Sequence, residues 1–238
     1  MSAGSGEKRR GARVTTSDVG QNGSPAMTSA IGLAHGSRQD HAREPPLGQR
    51  ISDMSFGQTF AMLHEEARGG IRDRHTGRKL LHQVIRVCKA AIRAGRKQDH
   101  GLALEILCPY TVVRDSVLRS TCFRALRYVV HTPEAARAFG SMRLVLPLAR
   151  SLDRDHQYLL ERTEALKLVR AVVQLAPSFA PRALVRSVVV LAQTPGESLR
   201  QACMDTLLTW AGDARTLRAM VSCNGIDTLA SAVIDPEC

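Results

Sequence analysis

From about residue 76 onward the apolar positions recur at three- and four-residue steps. Leu81, Val84, Ile85, Cys88 and Ile92 share one face of a helix predicted over roughly 76–95. Arg86, Lys89, Arg93, Arg96 and Lys97 fall on the opposite side, and Gly95 supplies the stop. Further helices are predicted at about 101–109, ending at Pro109, and at about 116–131. Others follow at about 158–176, 182–192 and 198–211. The punctuation between them is chemical. Thr132-Pro133-Glu134 sets an N-cap hydroxyl before a proline at the first helical position. Thr194-Pro195-Gly196-Glu197 has the spacing of a capping box. Pro177 and Pro181 break the chain between two helices, and Gly212-Asp213 ends one helix and caps the next. No segment has the period-two alternation of a strand, so the fold class is all-α.

The helices also repeat. A shift of about forty residues sets Phe123–Val129 on Thr163–Val169. A shift of about eighty sets Arg119-Ser120-Thr121-Cys122 on Arg200-Gln201-Ala202-Cys203, Leu126 on Leu207, and Leu148 on Leu229. Units of two or three helices at this period indicate an armadillo/HEAT-like α-solenoid of about four repeats. It occupies 56–238. Residues 1–55 read differently. The first 50 hold 8 of the 18 glycines, two leucines and no aromatic residue, too little apolar surface to offset the entropy of ordering. A disordered tail is expected there, with Thr15, Thr16 and Ser17 beside Arg13 as phosphorylation targets.

Composition narrows the function. Aromatic residues make up 4% of the 238, which argues against a sandwich or barrel. The longest apolar run, Val188–Ala192, is far short of the ~18 residues a spanning helix needs, and MSAGSGEKRR is not followed by an apolar signal region. A cytoplasmic protein is expected, membrane-peripheral where its basic stripe meets an anionic surface. Its six cysteines lack metal or disulfide spacing and read as small core residues, Cys122 and Cys203 sharing one repeat phase.

The chain offers no phosphate loop, dinucleotide fingerprint or nucleophile elbow. His64-Glu65-Glu66-Ala67-Arg68 lacks the second histidine of a metalloprotease helix. His75, His82, His100, His131 and His156 are scattered. No catalytic residue, cofactor, metal or small-molecule substrate is expected.

Charge is the local anomaly. The formal net charge is +11, and ten Lys/Arg against Asp73 alone lie between Arg68 and Lys97. A cationic stripe of this kind suits anionic membrane or phosphorylated partners. Nucleic acid fits less well, because no aromatic residue lies in the stripe to stack on bases. A second charged segment, Glu161 to Arg170, reads as a solvent-facing ridge whose Arg162, Glu164, Lys167 and Arg170 pair along the helix or dock partners. An armadillo groove reading extended peptides would carry an asparagine ladder, and the chain has only Asn22 and Asn224.

The block from Leu118-Arg119 to Ala125-Leu126-Arg127-Tyr128-Val129, followed by the string Glu161-Arg162-Thr163-Glu164-Ala165-Leu166-Lys167-Leu168-Val169-Arg170, resembles the N-terminal domain of the Rictor/Pianissimo family. The Arg200-Gln201-Ala202-Cys203 helix and the Gly225-Ile226 turn fit the same domain, so the resemblance covers about 76–234. It implies a non-catalytic helical scaffold of target-of-rapamycin complex 2. The implied partners are the target-of-rapamycin kinase and the other complex 2 subunits, with signalling to Akt-type kinases and the actin cytoskeleton. Members of the family are far longer. The predicted last helix (Ile226, Leu229, Ala230, Val233, Ile234) has an apolar side, so a truncated chain or an end covered by a partner is expected.

Overall fold

The computed structural model describes residues 51, 53–71, 73–96, 99–194 and 198–234. The expected tail falls almost wholly outside them, as do Lys97 and the Pro195, Gly196 and Glu197 of the expected capping box. The described residues belong to one contact unit, Glu44–Cys238. Ile51 is buried in its core, so packing begins ahead of Phe56.

Every regular element among the described residues is helical. The α-helices are α1 (Phe56–Arg68), α2 (Arg74–Arg93), α3 (His100–Leu107), α4 (Ser116–Val129), α5 (Pro133–Ser141) and α6 (Val145–Leu152). There follow α7 (Leu159–Leu175), α8 (Arg182–Gln193), α9 (Arg200–Ala211), α10 (Leu217–Ser222) and α11 (Gly225–Ile234). Short 3₁₀ turns, Cys108–Thr111 and His156–Tyr158, link α3 to α4 and lead into α7.

The caps explain the boundaries. Ser55 and Gln58 form a reciprocal capping box at the start of α1. Asp73, Asp99 and Asp115 accept backbone N–H groups at the starts of α2, α3 and α4, and Thr132 Oγ1 accepts from Ala135 N at 3.2 Å for α5. Gly95 stops α2 as expected. Its φ of 63° is left-handed, its N–H donates to Ile92 O at 3.1 Å, and Arg96 N donates to Ala91 O at 3.0 Å. That pair of bonds satisfies the last carbonyls of the helix, and a side chain at Gly95 would strain the turn. Thr194 behaves differently from the expectation. It is the C-cap of α8, its hydroxyl donates to Val190 O at 2.7 Å, and α9 begins only at Arg200 behind Leu199.

The longer helices form a row in which α2 packs on α4, α4 on α7 and α7 on α9. Of these, α4 and α7 carry the segments superposed by the forty-residue shift, and α4 and α9 those superposed by the shift of about eighty. A second set packs against it, with α3 and α5 against one another, α6 against α7 and α8, and α8 against α9. One continuous apolar cluster runs through both sets, from Ile51 and Leu63 to Trp210 and Met220. Cys88, Cys122 and Cys203 are fully buried in it, and burial pushes the Cys88 thiol up to about 12, as suits packing residues. None of the described cysteines forms a disulfide.

Candidate docking surfaces

The sequence of α2 contains no Asp or Glu, and its polar face is cationic from end to end. Arg78, Lys79, Arg86, Arg93 and Arg96 are exposed, and Lys89 is half-buried. Lys89 reaches across to α4, where its Nζ lies 4.8 Å from the centre of the Tyr128 ring, and Arg127 Cζ lies 5.5 Å from the same ring. Burial would raise the Tyr128 phenol, but Lys89, Arg127 and Arg124 together hold it below its usual value. At the middle of the stripe, desolvation and the charges of Arg78 and Arg124 push the His82 imidazole down. Sequence reasoning missed Arg124. It lies on α4, and only the packing of α4 on α2 brings it to the stripe. Ile92, expected on the apolar face, is 38% exposed and sits among the cations.

The Glu161–Arg170 segment departs from its expected exposure. Glu161, Arg162 and Glu164 are 1%, 3% and 7% exposed, because α7 is touched by α4, α5, α6 and α9 and has little free circumference. Glu161 meets Arg119 of α4, itself 3% exposed. Arg119 Nε donates to Glu161 Oε1 at 2.8 Å and Nη2 to Oε2 at 2.6 Å. Its Nη1 donates to the carbonyls of Val113 and Arg114. Ser151 Oγ of α6 donates to Glu161 Oε1 at 2.7 Å, and Arg154 Nε lies 3.2 Å from the same oxygen. Arg162 donates to Leu152 O at 3.3 Å and stands 3.3 Å from His156 Nδ1. These charges staple α4, α6 and α7 together. A search for opposite charges one repeat apart would have found Arg119 and Glu161.

The remaining ridge residues do reach the surface. Lys167 is exposed and donates to Glu164 Oε1 at 3.0 Å. Arg170 donates to Asp205 Oδ2 of α9 at 3.1 Å, and Arg127 of α4 lies 3.7 Å from Glu164 Oε2. Lys89–Tyr128, Arg127–Glu164 and Arg170–Asp205 therefore bridge each step of the row from α2 to α9.

Of the scattered histidines, the fold brings two together. His100 and His131 meet edge to face with ring centres 5.0 Å apart, in a cleft with Arg96, Thr132 and Glu134. A second cleft, mostly apolar, lies between Phe56, Ala61, His64 and Leu102. Among the described residues no cluster of three or more His, Cys, Asp or Glu is placed to hold a metal ion. No described helix is long and apolar enough to cross a membrane.

Protein pianissimo A of Dictyostelium discoideum is 25% identical over 128 residues, which is 54% of this chain and 11% of the relative. The chain thus spans about a tenth of the length of that protein. The family described as "Rapamycin-insensitive companion of mTOR, N-term" matches residues 104–238, from the end of α3 through α11. The basic helix α2 lies ahead of that match, and the buried Arg119–Glu161 pair and the ridge at Lys167 and Arg170 lie inside it. With more than half of its length matched, the chain belongs to the family of the N-terminal domain of the rapamycin-insensitive companion of mTOR.

Proposed function

We propose that this chain is a non-catalytic scaffold component of target-of-rapamycin complex 2, working in the cytoplasm. The observation that carries the reading is the family match across 104–238, which takes in α4, α7 and α9, three of the four helices of the row. A row of helices sharing one apolar cluster, with α4 and α7 joined by the buried Arg119–Glu161 pair, offers a continuous surface to a partner. On this reading the kinase or a companion subunit docks where the row carries Lys167 and Arg170. Arg162 and Glu164 act from beneath, holding α7 in register. Through the assembled complex the chain supports signalling to Akt-type kinases and the actin cytoskeleton.

The test is affinity capture of the tagged full chain from its own cells, probed for the target-of-rapamycin kinase. The kinase should be recovered with the wild type. Recovery should fall at least tenfold with K167E/R170E, whose helical circular dichroism should persist although the bonds to Glu164 and Asp205 are lost, and thermal melting in parallel separates loss of docking from loss of fold. No kinase with the wild type, under conditions where a full-length family member retains it, would overturn the reading.

A further inference from the structure

The cationic face of α2 is not accounted for by the scaffold reading. Helix α2 lies outside the segment that matches the family, and its cationic face meets the next helix of the row at Tyr128, over whose ring Lys89 stands. We propose that this face, formed by Arg78, Arg86, Lys89 and Arg93 of α2 with Arg124 of α4, is a docking surface for anionic phospholipid membrane.

Three observations favour a membrane over other anionic partners. First, most of the charge is uncompensated. Arg74, at the start of α2, pairs with Asp115 at 3.4 Å, but Arg78, Arg86, Arg93 and Arg124 make no ion pair among the described residues, and α2 has no carboxylate of its own. Second, the array is long and its cations line no described cleft. Arg78 to Arg93 spans about 22 Å of helix. Two clefts reach the last turns of α2, one at Val87, Ala90, Ala91 and Arg96 and one at Ile92 and Arg96, but neither is lined by Arg78, Arg86, Lys89, Arg93 or Arg124. A phosphorylated peptide bound by such a face would engage one or two of these cations, whereas a lipid surface engages all of them at once. Third, the aromatic ring at the face is already occupied. Lys89 and Arg127 both stand over the Tyr128 ring, so it is not offered to a nucleic-acid base for stacking. Half-exposed Ile92, beside Lys89 and Arg93, adds an apolar contact at the end of the stripe. The apolar side of α2 is committed to the protein core, so the attachment is electrostatic and peripheral. It does not insert the helix.

The experiment is vesicle co-flotation of the full chain, with phosphatidylcholine vesicles and with phosphatidylcholine–phosphatidylserine vesicles. Each cation brought to an anionic surface raises partitioning about fivefold. The wild type should float with the mixed vesicles and not the neutral ones, and release as salt shortens the Debye length below about 8 Å. R78E/R86E/R93E should lose at least about 100-fold in partitioning, with Trp210 fluorescence confirming the fold. R182E/R186E, which makes the net charge more negative at two exposed arginines of α8, should lose far less. On binding, the His82 imidazole should titrate at higher pH by NMR, because headgroup charge offsets the Arg78 and Arg124 charges that hold it down. Equal binding to neutral vesicles would overturn the proposal. So would equal losses from the α2 and α8 variants, or capture of a soluble phosphopeptide or RNA with no vesicle binding. None of these outcomes depends on recovery of the kinase.

Discussion

Arg119→Met removes one side of the most buried ion pair in the described molecule and leaves the other in place. Glu161 would keep Ser151 Oγ at 2.7 Å and Arg154 at 3.2 Å, but lose both guanidinium bonds. Two backbone carbonyls, Val113 and Arg114, would lose their donor as well. Breaking a buried pair from one side costs about 3–5 kcal/mol, because the surviving charge stays desolvated. Arg154 is 37% exposed at its side chain, so it compensates weakly through solvent-screened charge, and we expect about 3 kcal/mol. For a domain of this size that lowers Tm by about 6–12 °C. The double variant R119M/E161L removes both charges and fills the space with apolar atoms. It should recover most of the loss, giving a coupling energy of at least about 2 kcal/mol. The assay is urea unfolding followed by fluorescence of Trp210, the single tryptophan, fully buried in α9. A loss below about 1 kcal/mol for R119M, as for a surface pair, would refute the buried-staple reasoning.

Two glycines should respond to alanine with opposite signs. Gly57 in α1 has nothing within 4 Å of a built Cβ, so G57A should stabilise by about 0.5–1 kcal/mol through helix propensity alone. At Gly140 a Cβ would meet Phe179 Cδ2 and Cε2 at 3.1 Å. The Phe179 ring packs against Phe139, and its carbonyl accepts from Trp210 Nε1 at 2.9 Å, so G140A should destabilise by about 1 kcal/mol in the same unfolding assay. Thr132→Ala removes the cap of α5 and should cost about 1 kcal/mol by thermal melting. The Glu66 carboxyl is held above the usual carboxylate range by burial and by Asp73, although the Tyr110 hydroxyl donates to it. Its folded form binds a proton more tightly than the unfolded chain does. Stability of the wild type relative to E66Q should therefore rise as pH falls from about 7 toward about 4.3, where the unfolded carboxylate itself protonates. A flat difference across that window would contradict the assignment.

The elements with chemical punctuation were legible in the sequence. Thr132 caps α5 and Gly95 stops α2 because each needs only its own local geometry. Phe123–Val129 and Thr163–Val169, superposed by the forty-residue shift, lie on α4 and α7, which pack directly together. Glu161, Arg162 and Glu164 were illegible for a physical reason. Charge marks solvent only on a helix with one free side, and α7 is enclosed by four neighbours, so its charges are satisfied by Arg119, Ser151 and Leu152 instead. The same tertiary enclosure hid Arg124 from the basic stripe and the contact of His100 with His131. Ile92 failed in the other direction. It completes the three-and-four spacing, yet it lies in the last turn of α2, beyond the cover that α4 and α1 give to the earlier turns.

Direct assembly tests most simply whether the chain is an interaction scaffold. The purified full chain would be mixed with the purified target-of-rapamycin kinase and the other complex 2 subunits, omitting the large family scaffold, and resolved by gel filtration. Co-elution of the chain with the kinase, reduced by K167E/R170E and unaffected by R78E/R86E/R93E, is the result the account predicts. Separate elution, while a full-length family member co-elutes under the same conditions, would contradict it.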